Sequence, residues 1–190
     1  MMKWEIRVVG IDDASFSHDD KKCFVIATVF RGGQFMDGVL STKVEVDGED
    51  ATVKIIEMIN KTKFKPQLQV IFLDGIAVGG FNVINIESLW RHTGIPVIVV
   101  VRKRPDFERL EKTLRKLGME KKYSLMEKAG KPAEVRIKEG TIYVQTAGIS
   151  LEEAKEILSV CCTHSFIPEA IRAAHLIGAG IVKGESKSGA

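Results

Sequence analysis

The chain has 190 residues, of which 45% are hydrophobic and 28% charged, with a net charge of +3. That is the profile of a globular domain large enough to bury a real core. Its longest strongly apolar run, residues 95–101, is too short to cross a bilayer. No apolar signal core follows the opening MMKWEIRVV, and three cysteines, two of them adjacent, fit neither a disulfide framework nor zinc spacing. A cytoplasmic protein is expected.

Residues 4–11 alternate and are rich in Val and Ile, which predicts a strand ended by Asp12-Asp13. The run 23–30 (CFVIATVF) is a second strand. Gly32-Gly33 signals a tight turn into a third strand at about 35–46, making an antiparallel meander. A helix follows over about 49–61, with Asp47 as its N-cap and Val53, Ile56 and Ile59 on one stripe. The rhythm then changes to βαβα. Residues 68–73 form a continuous apolar strand, and the Gly-rich turn 74–80 leads into a helix over 83–92. Residues 97–101 form a strand with no polar residue, as in a parallel sheet buried on both faces. Pro105 suits a helix's first turn, and Phe107, Leu110, Leu114 and Leu117 give that helix an apolar face. Residues 135–137 and 141–145 read as a hairpin. Ser150 with Glu153 is a capping box before a helix to about 162, and Pro168 opens a last helix to about 181. Residues 1–183 read as one domain and 184–190 as a flexible tail.

The helix after strand three returns the chain so that strand four lies parallel to strand one, giving the order 3-2-1-4-5. The carboxyl ends of strands one and four then share the side where open α/β sheets bind ligands. Asp12 and Asp74 both fall there, on strands about 4.8 Å apart. Carboxylates so close repel one another unless a cation sits between them. Mg²⁺ and Mn²⁺ prefer oxygen ligands, and such a site supports phosphodiester hydrolysis. Either aspartate alone would read as a turn cap.

The residues Gly10-Ile-Asp12-Asp-Ala-Ser-Phe16, Phe72-Leu-Asp74-Gly75 and Gly94-Ile-Pro96 resemble those of ribonuclease-H-like nucleases. They are similar to those of endonuclease V and its archaeal relatives of unknown function, the family called DUF ninety-nine. The likeness to the archaeal relatives covers most of the chain; that to endonuclease V covers the sheet. It implies an α/β, ribonuclease-H-like mixed five-stranded sheet of order 3-2-1-4-5 flanked by helices, with an additional C-terminal hairpin and two helices. It also implies Asp12 and Asp74 as catalytic ligands of Mg²⁺ or Mn²⁺, with Glu49 or Asp50 as a third carboxylate. Asp13 has no matching carboxylate in endonuclease V; adjacent strand residues face opposite ways, so it is expected behind the site or at the surface. Glu49 and Asp50 fit equally well as helix-dipole partners.

The chain departs from endonuclease V at three places. No histidine occupies Thr146-Ala147-Gly148, where that family carries one, and residues 43–48 lack its aromatic DNA wedge. The turn after Asp74-Gly75 is Ile-Ala-Val-Gly-Gly-Phe instead of histidine and basic residues. The expectation is a divalent-metal-dependent endonuclease or related phosphodiesterase acting on DNA or RNA, without recognition of deaminated bases carried over. The alternative is a non-catalytic nucleic-acid or nucleotide-binding protein with a degenerate nuclease fold.

Arg102 and Lys103, just past strand five, face the same edge and are candidates for phosphate contact. Residues 102–138 carry 13 Lys and Arg against 6 Asp and Glu. That stretch reads either as a surface attracting polyanions or as solvated helix faces with i,i+4 ion pairs. His18 reads as a solvated loop residue, and His164 and His175 as packing or capping residues. Asn82 and Asn85 read as caps, and Phe16, Phe35, Phe81 and Trp90 as core. A catalytic role for Cys161-Cys162 is not expected.

Overall fold

The computed structural model describes residues 5–17 and 19–187. Trp4, His18 and the last three residues of the expected tail lie outside them. The meander forms as expected: β1 (Arg7–Asp13), β2 (Lys22–Arg31) and β3 (Phe35–Glu45) pair antiparallel. α1 (Ala51–Lys61) crosses over to β4 (Val70–Asp74), which pairs parallel with β1 from Val8↔Val70 to Ile11↔Leu73. The Gly-rich turn does not run straight into a helix. It folds into a two-stranded hairpin, β5 (Ala77–Val78) and β6 (Asn82–Val83), before α2 (Ile86–Thr93). The left-handed Gly79 and Gly80 make that reversal, which larger residues rarely adopt. β7 (Val97–Val101) then pairs parallel with β4.

The expected five-stranded sheet is corrected to seven strands. After α3 (Phe107–Lys116) and α4 (Glu120–Lys128), β8 (Ala133–Ile137) and β9 (Gly140–Ala147) join the same sheet, giving β3-β2-β1-β4-β7-β9-β8. The reason is physical: β7 would otherwise leave a row of unpaired backbone groups along an apolar strand, and β9 covers it antiparallel. α5 (Leu151–Cys161) carries the capping box at Ser150 and Glu153, and α6 (Glu169–Lys183) ends the fold. Among the described residues no helix is long and apolar enough to cross a membrane.

Two cores lie on the two faces of the sheet. Val9, Ile11, Ile71 and Leu73 pack with Ile55, Ile59 and Leu89 of α1 and α2. Val8, Phe72, Ile98 and Val100 pack with Leu158 of α5 and Ile171 of α6. Each fully buried Ile or Leu contributes about 1.5–3 kcal/mol, so both layers are strongly held. α6 sits unusually close to β1. A Cβ on Gly10 would meet the backbone carbon of Ala170 at 2.3 Å, and Gly178 of the same helix faces Ala14. The buried Thr28 hydroxyl donates to the Ala170 carbonyl over 2.6 Å, pinning the helix start to β2.

Several local expectations change. Asp47 does not cap α1; its carboxylate accepts from the Phe81 N–H, and Asp50 stands at the N-cap without a side-chain cap bond. Asn82, completely buried, supplies the acceptor instead, taking the Ala51 N–H over 3.0 Å. Asn85 caps α2 through the Ser88 N–H. Phe35 is not core: it is 60% exposed on the edge strand. Within the basic stretch, Lys122 turns inward and donates to the carbonyls of Asp47 and Gly48.

Candidate metal centre

Strand parity decides which side chains meet. Along β1, Val8 and Gly10 face α6, so Asp12 does too; along β4, Val70 and Phe72 do, so Asp74 follows. The register continues from Ile11↔Leu73 to bring the two aspartates side by side. In β7, Ile98 and Val100 share that face, and Arg102 continues their line. Three neighbouring parallel strands therefore deliver Asp12, Asp74 and Arg102 to one edge.

The close approach of α6 adds a fourth group. His175 Nδ1 lies 2.9 Å from Asp12 Oδ2. Ligand atoms of Asp12, Asp74 and His175 all lie within 4.8 Å of one another. Two ligands at right angles on an ion, each about 2.1 Å from it, are about 3 Å apart, so the Asp12–His175 spacing suits a shared cation as well as a hydrogen bond. The two carboxylates suit Mg²⁺ or Mn²⁺, and the imidazole shifts the donor set toward Mn²⁺ and other transition-metal ions.

Asp12 is 5% exposed. Burial pushes its carboxyl up to about 8, the charges of Asp74 and Asp13 push the same way, and the Asp13 N–H and Arg102 oppose them. A divalent cation between the carboxylates would favour the charged form and oppose that rise. Asp13 points to the opposite face, where its Oδ2 accepts the Gly79 N–H over 2.6 Å and ties the hairpin to β1. Burial raises its pKa as well, with the Gly79 N–H opposing.

The other expected site residues fall in different places. Arg102, expected to contact phosphate, forms an ion pair with Asp74 at 3.3 Å, because parity puts both on one face. Its Nη2 is buried without a hydrogen-bond partner among the described residues. Lys103 is exposed beyond β7. Asp50 accepts from Asn82 Nδ2 and from the Glu45 N–H, while Glu49 is exposed; neither joins the cluster. All three cysteines are buried free thiols; burial pushes Cys162 up to about 12 and raises Cys161 as well.

His175 was expected to be a packing or capping residue, and this is corrected. The missing signal lay in small residues on two elements far apart in the chain. Gly10 interrupts the bulky β1, and Ala170, Ala174 and Gly178 repeat every fourth residue along α6. Their meeting sets His175 over Asp12. An imidazole thus reaches the strand-end carboxylates from the last helix, and not from the Thr146-Ala147-Gly148 stretch.

This fold, a mixed α/β sheet with flanking helices, is shared with endonuclease V. The structure of Ciona intestinalis endonuclease V in complex with DNA containing an inosine followed by a ribo-adenosine matches 88% of this chain and 82% of its own, at 20% identity and a TM-score of 0.57. The family model Endonuclease dU matches residues 4–182, and the chain belongs to that family. A UPF0215 protein of Methanothermobacter thermautotrophicus is 48% identical over 192 residues, covering all of this chain and 94% of that one. The crystal structure of a protein of unknown function from Archaeoglobus fulgidus is 40% identical, with a TM-score of 0.82 over 93% of this chain and 98% of that one.

Proposed function

We propose that the chain is a ribonuclease-H-like, divalent-metal-dependent endonuclease whose ion is held by Asp12, Asp74 and His175. One observation carries the reading: two strand-end carboxylates and an imidazole converge within 4.8 Å at the carboxyl edge of a sheet of this family. Mg²⁺ or Mn²⁺ bound there would polarise a phosphoryl oxygen and lower the pKa of a water nucleophile. The family name points to DNA containing deoxyuridine as substrate, and the DNA-bound endonuclease V supports nucleic acid as the partner class.

The protein's own groups have definable parts. Asp12 must lose its proton to serve as a ligand, so metal binding releases one. Without an ion, an ionised Asp12 accepts from the Nδ1–H of His175; an ion shared through Nδ1 would require the other tautomer, with the proton on Nε2. Arg102 neutralises Asp74; a cation at Asp74 would free the guanidinium for a phosphate, with Lys103 beside it. The resemblance called for a third carboxylate at Glu49 or Asp50; in this reading His175 takes its place.

The Arg102–Asp74 pair also gives the alternative some ground, because a resident cation of the protein's own could replace the metal in a binding protein that does not cleave. The two readings separate in one experiment. Purified protein is titrated with Mn²⁺ by calorimetry, and DNA with one deoxyuridine, unmodified DNA and RNA are incubated with Mg²⁺ or Mn²⁺. The endonuclease reading expects one strong Mn²⁺ site and cleavage that falls about a thousandfold or more in Asp12→Asn and Asp74→Asn. Nucleic-acid binding with no Mn²⁺ site and no cleavage would establish the alternative.

A further inference from the structure

On the opposite face of the same edge lies a cavity of about 290 Å³. Its wall begins at Gly75, the residue after Asp74, and continues at Val101, the residue before Arg102. It therefore shares two strand ends with the candidate metal centre. Phe81 of the hairpin, Phe107 and Leu110 of α3 and Met126 of α4 make the rest of the wall apolar, and Gln145 of β9 stands among them as a buried amide. Gln145 pairs with Val99 in the sheet, which puts its side chain on this face.

The orientation of that amide is fixed. Its Nε2 donates to the Gly130 carbonyl over 2.6 Å, and only the nitrogen end can donate to a carbonyl oxygen. The Oε1 end accepts no hydrogen bond within the protein among the described residues. The amide that Gln145 brings to the cavity wall therefore offers its oxygen as an acceptor fixed in place, beside the one N–H that Gly130 leaves free.

We propose that this cavity receives a base turned out of the substrate strand, and that Gln145 Oε1 accepts a hydrogen bond from the ring N–H of a lactam base such as uracil. The assignment rests on the endonuclease reading of Asp12, Asp74 and His175. Enzymes that must reach one particular base turn it out of the stack into a pocket that reads its pairing edge, and the cost is least for a damaged or mispaired base. Phe81 and Phe107 offer rings against a base plane. Uracil presents N–H at ring position 3. Cytosine presents a lone pair there, which would face the Gln145 lone pair with neither satisfied. Thymine carries the same N–H, so Gln145 separates uracil from cytosine and not from thymine. Nothing in the comparison with endonuclease V carried base recognition to this chain; the cavity gives it a means of its own.

The test is fluorescence anisotropy with the full chain in the Asp12→Asn background, which keeps binding apart from cleavage. The probes are short single-stranded DNAs identical except for one position holding uracil, cytosine or an abasic site. Uracil is expected to bind roughly tenfold to a hundredfold tighter than cytosine. Gln145→Leu should bring that ratio to within about twofold. Leu110→Trp, which fills the cavity from an exposed helix, should do the same while leaving the far-ultraviolet circular dichroism unchanged. Equal binding of uracil and cytosine, or a ratio that survives both substitutions, overturns the proposal. Selective binding by a protein that never cleaves would uphold the pocket and overturn the endonuclease reading; cleavage without base preference would do the reverse.

Discussion

The two faces of the sheet differ most at the carboxyl ends of β1, β4 and β7. On the α6 face stand Asp12, Asp74, Arg102 and His175, four ionisable groups drawn together. On the hairpin face stand Phe81, Phe107, Leu110 and Met126 around a single buried amide. Only one step along each strand separates the two: Asp12 from Asp13, Asp74 from Gly75, Arg102 from Val101. The period of two assigns charge to one face and shape to the other. A slip of one residue in any strand would exchange them, so the burial of both cores fixes the chemistry as firmly as it fixes the fold.

The largest effect should come from parting α6 from β1, which disturbs the charged face alone. In Gly10→Val the new side chain must displace the Ala170 backbone, 2.3 Å from where its Cβ would lie. Overpacking of this kind costs about 1–3 kcal/mol or more. We expect a lower unfolding midpoint in urea, and a loss of Mn²⁺ affinity by calorimetry that exceeds the loss in His175→Gln. The latter leaves the helix in place and should weaken the ion by about tenfold to a hundredfold. Unchanged Mn²⁺ affinity in both variants would remove α6 from the site. The uracil-to-cytosine binding ratio, which belongs to the other face, should survive His175→Gln.

The same contrast explains how much was legible beforehand. The order of the first five sheet strands and the meeting of Asp12 with Asp74 followed from crossover topology and strand ends, because both are local consequences of βαβ winding. Asp12 and Asp74 sit at a strand terminus, where a break in an apolar run is visible in the residues themselves. His175 was not visible, since its role depends on how closely a helix docks, and that distance is set by Gly10 at the far end of the chain. Arg102 was placed at the right edge, but its ion pair with Asp74 was not foreseen: their shared parity needed a register, and a register needs two strands. That the C-terminal hairpin adds two strands to the sheet, and that the β5–β6 hairpin helps wall a cavity, were missed for a similar reason. Both answer an unpaired edge or an uncovered face, which no single segment records.

A pH titration sharpens the comparison further. Asp12 has its pKa raised to about 8 from 3.8, chiefly by burial. Between those values the metal-free folded protein holds a proton that the unfolded chain has released. Asp12's contribution is therefore complete below about pH 4 and is lost as pH rises through about 8. Asp13, raised in the same direction, adds to the trend. The thermal midpoint of metal-free protein should fall from pH 5 to pH 8.5. Asp12→Asn should flatten most of that slope, and saturating Mn²⁺ should abolish Asp12's share of it, because the ion holds the folded state in the deprotonated form that the unfolded chain also has. A slope unchanged in Asp12→Asn would mean that the charged face is not what strains the fold.

The smallest effect is expected at a point remote from both chemistries. Ser150 accepts the Glu153 N–H while the Glu153 carboxylate accepts the Ser150 N–H, closing the start of α5. Ser150→Ala removes one side of that box and should cost about 1 kcal/mol, a drop of about 2–4 °C in the thermal midpoint. Mn²⁺ affinity and the uracil-to-cytosine ratio should both stay as they are. The measurement matters because α5 packs on the same face of the sheet as α6. If a cap lost there lowered Mn²⁺ affinity, general loosening of that layer, and not the displacement of His175, would account for the Gly10→Val result.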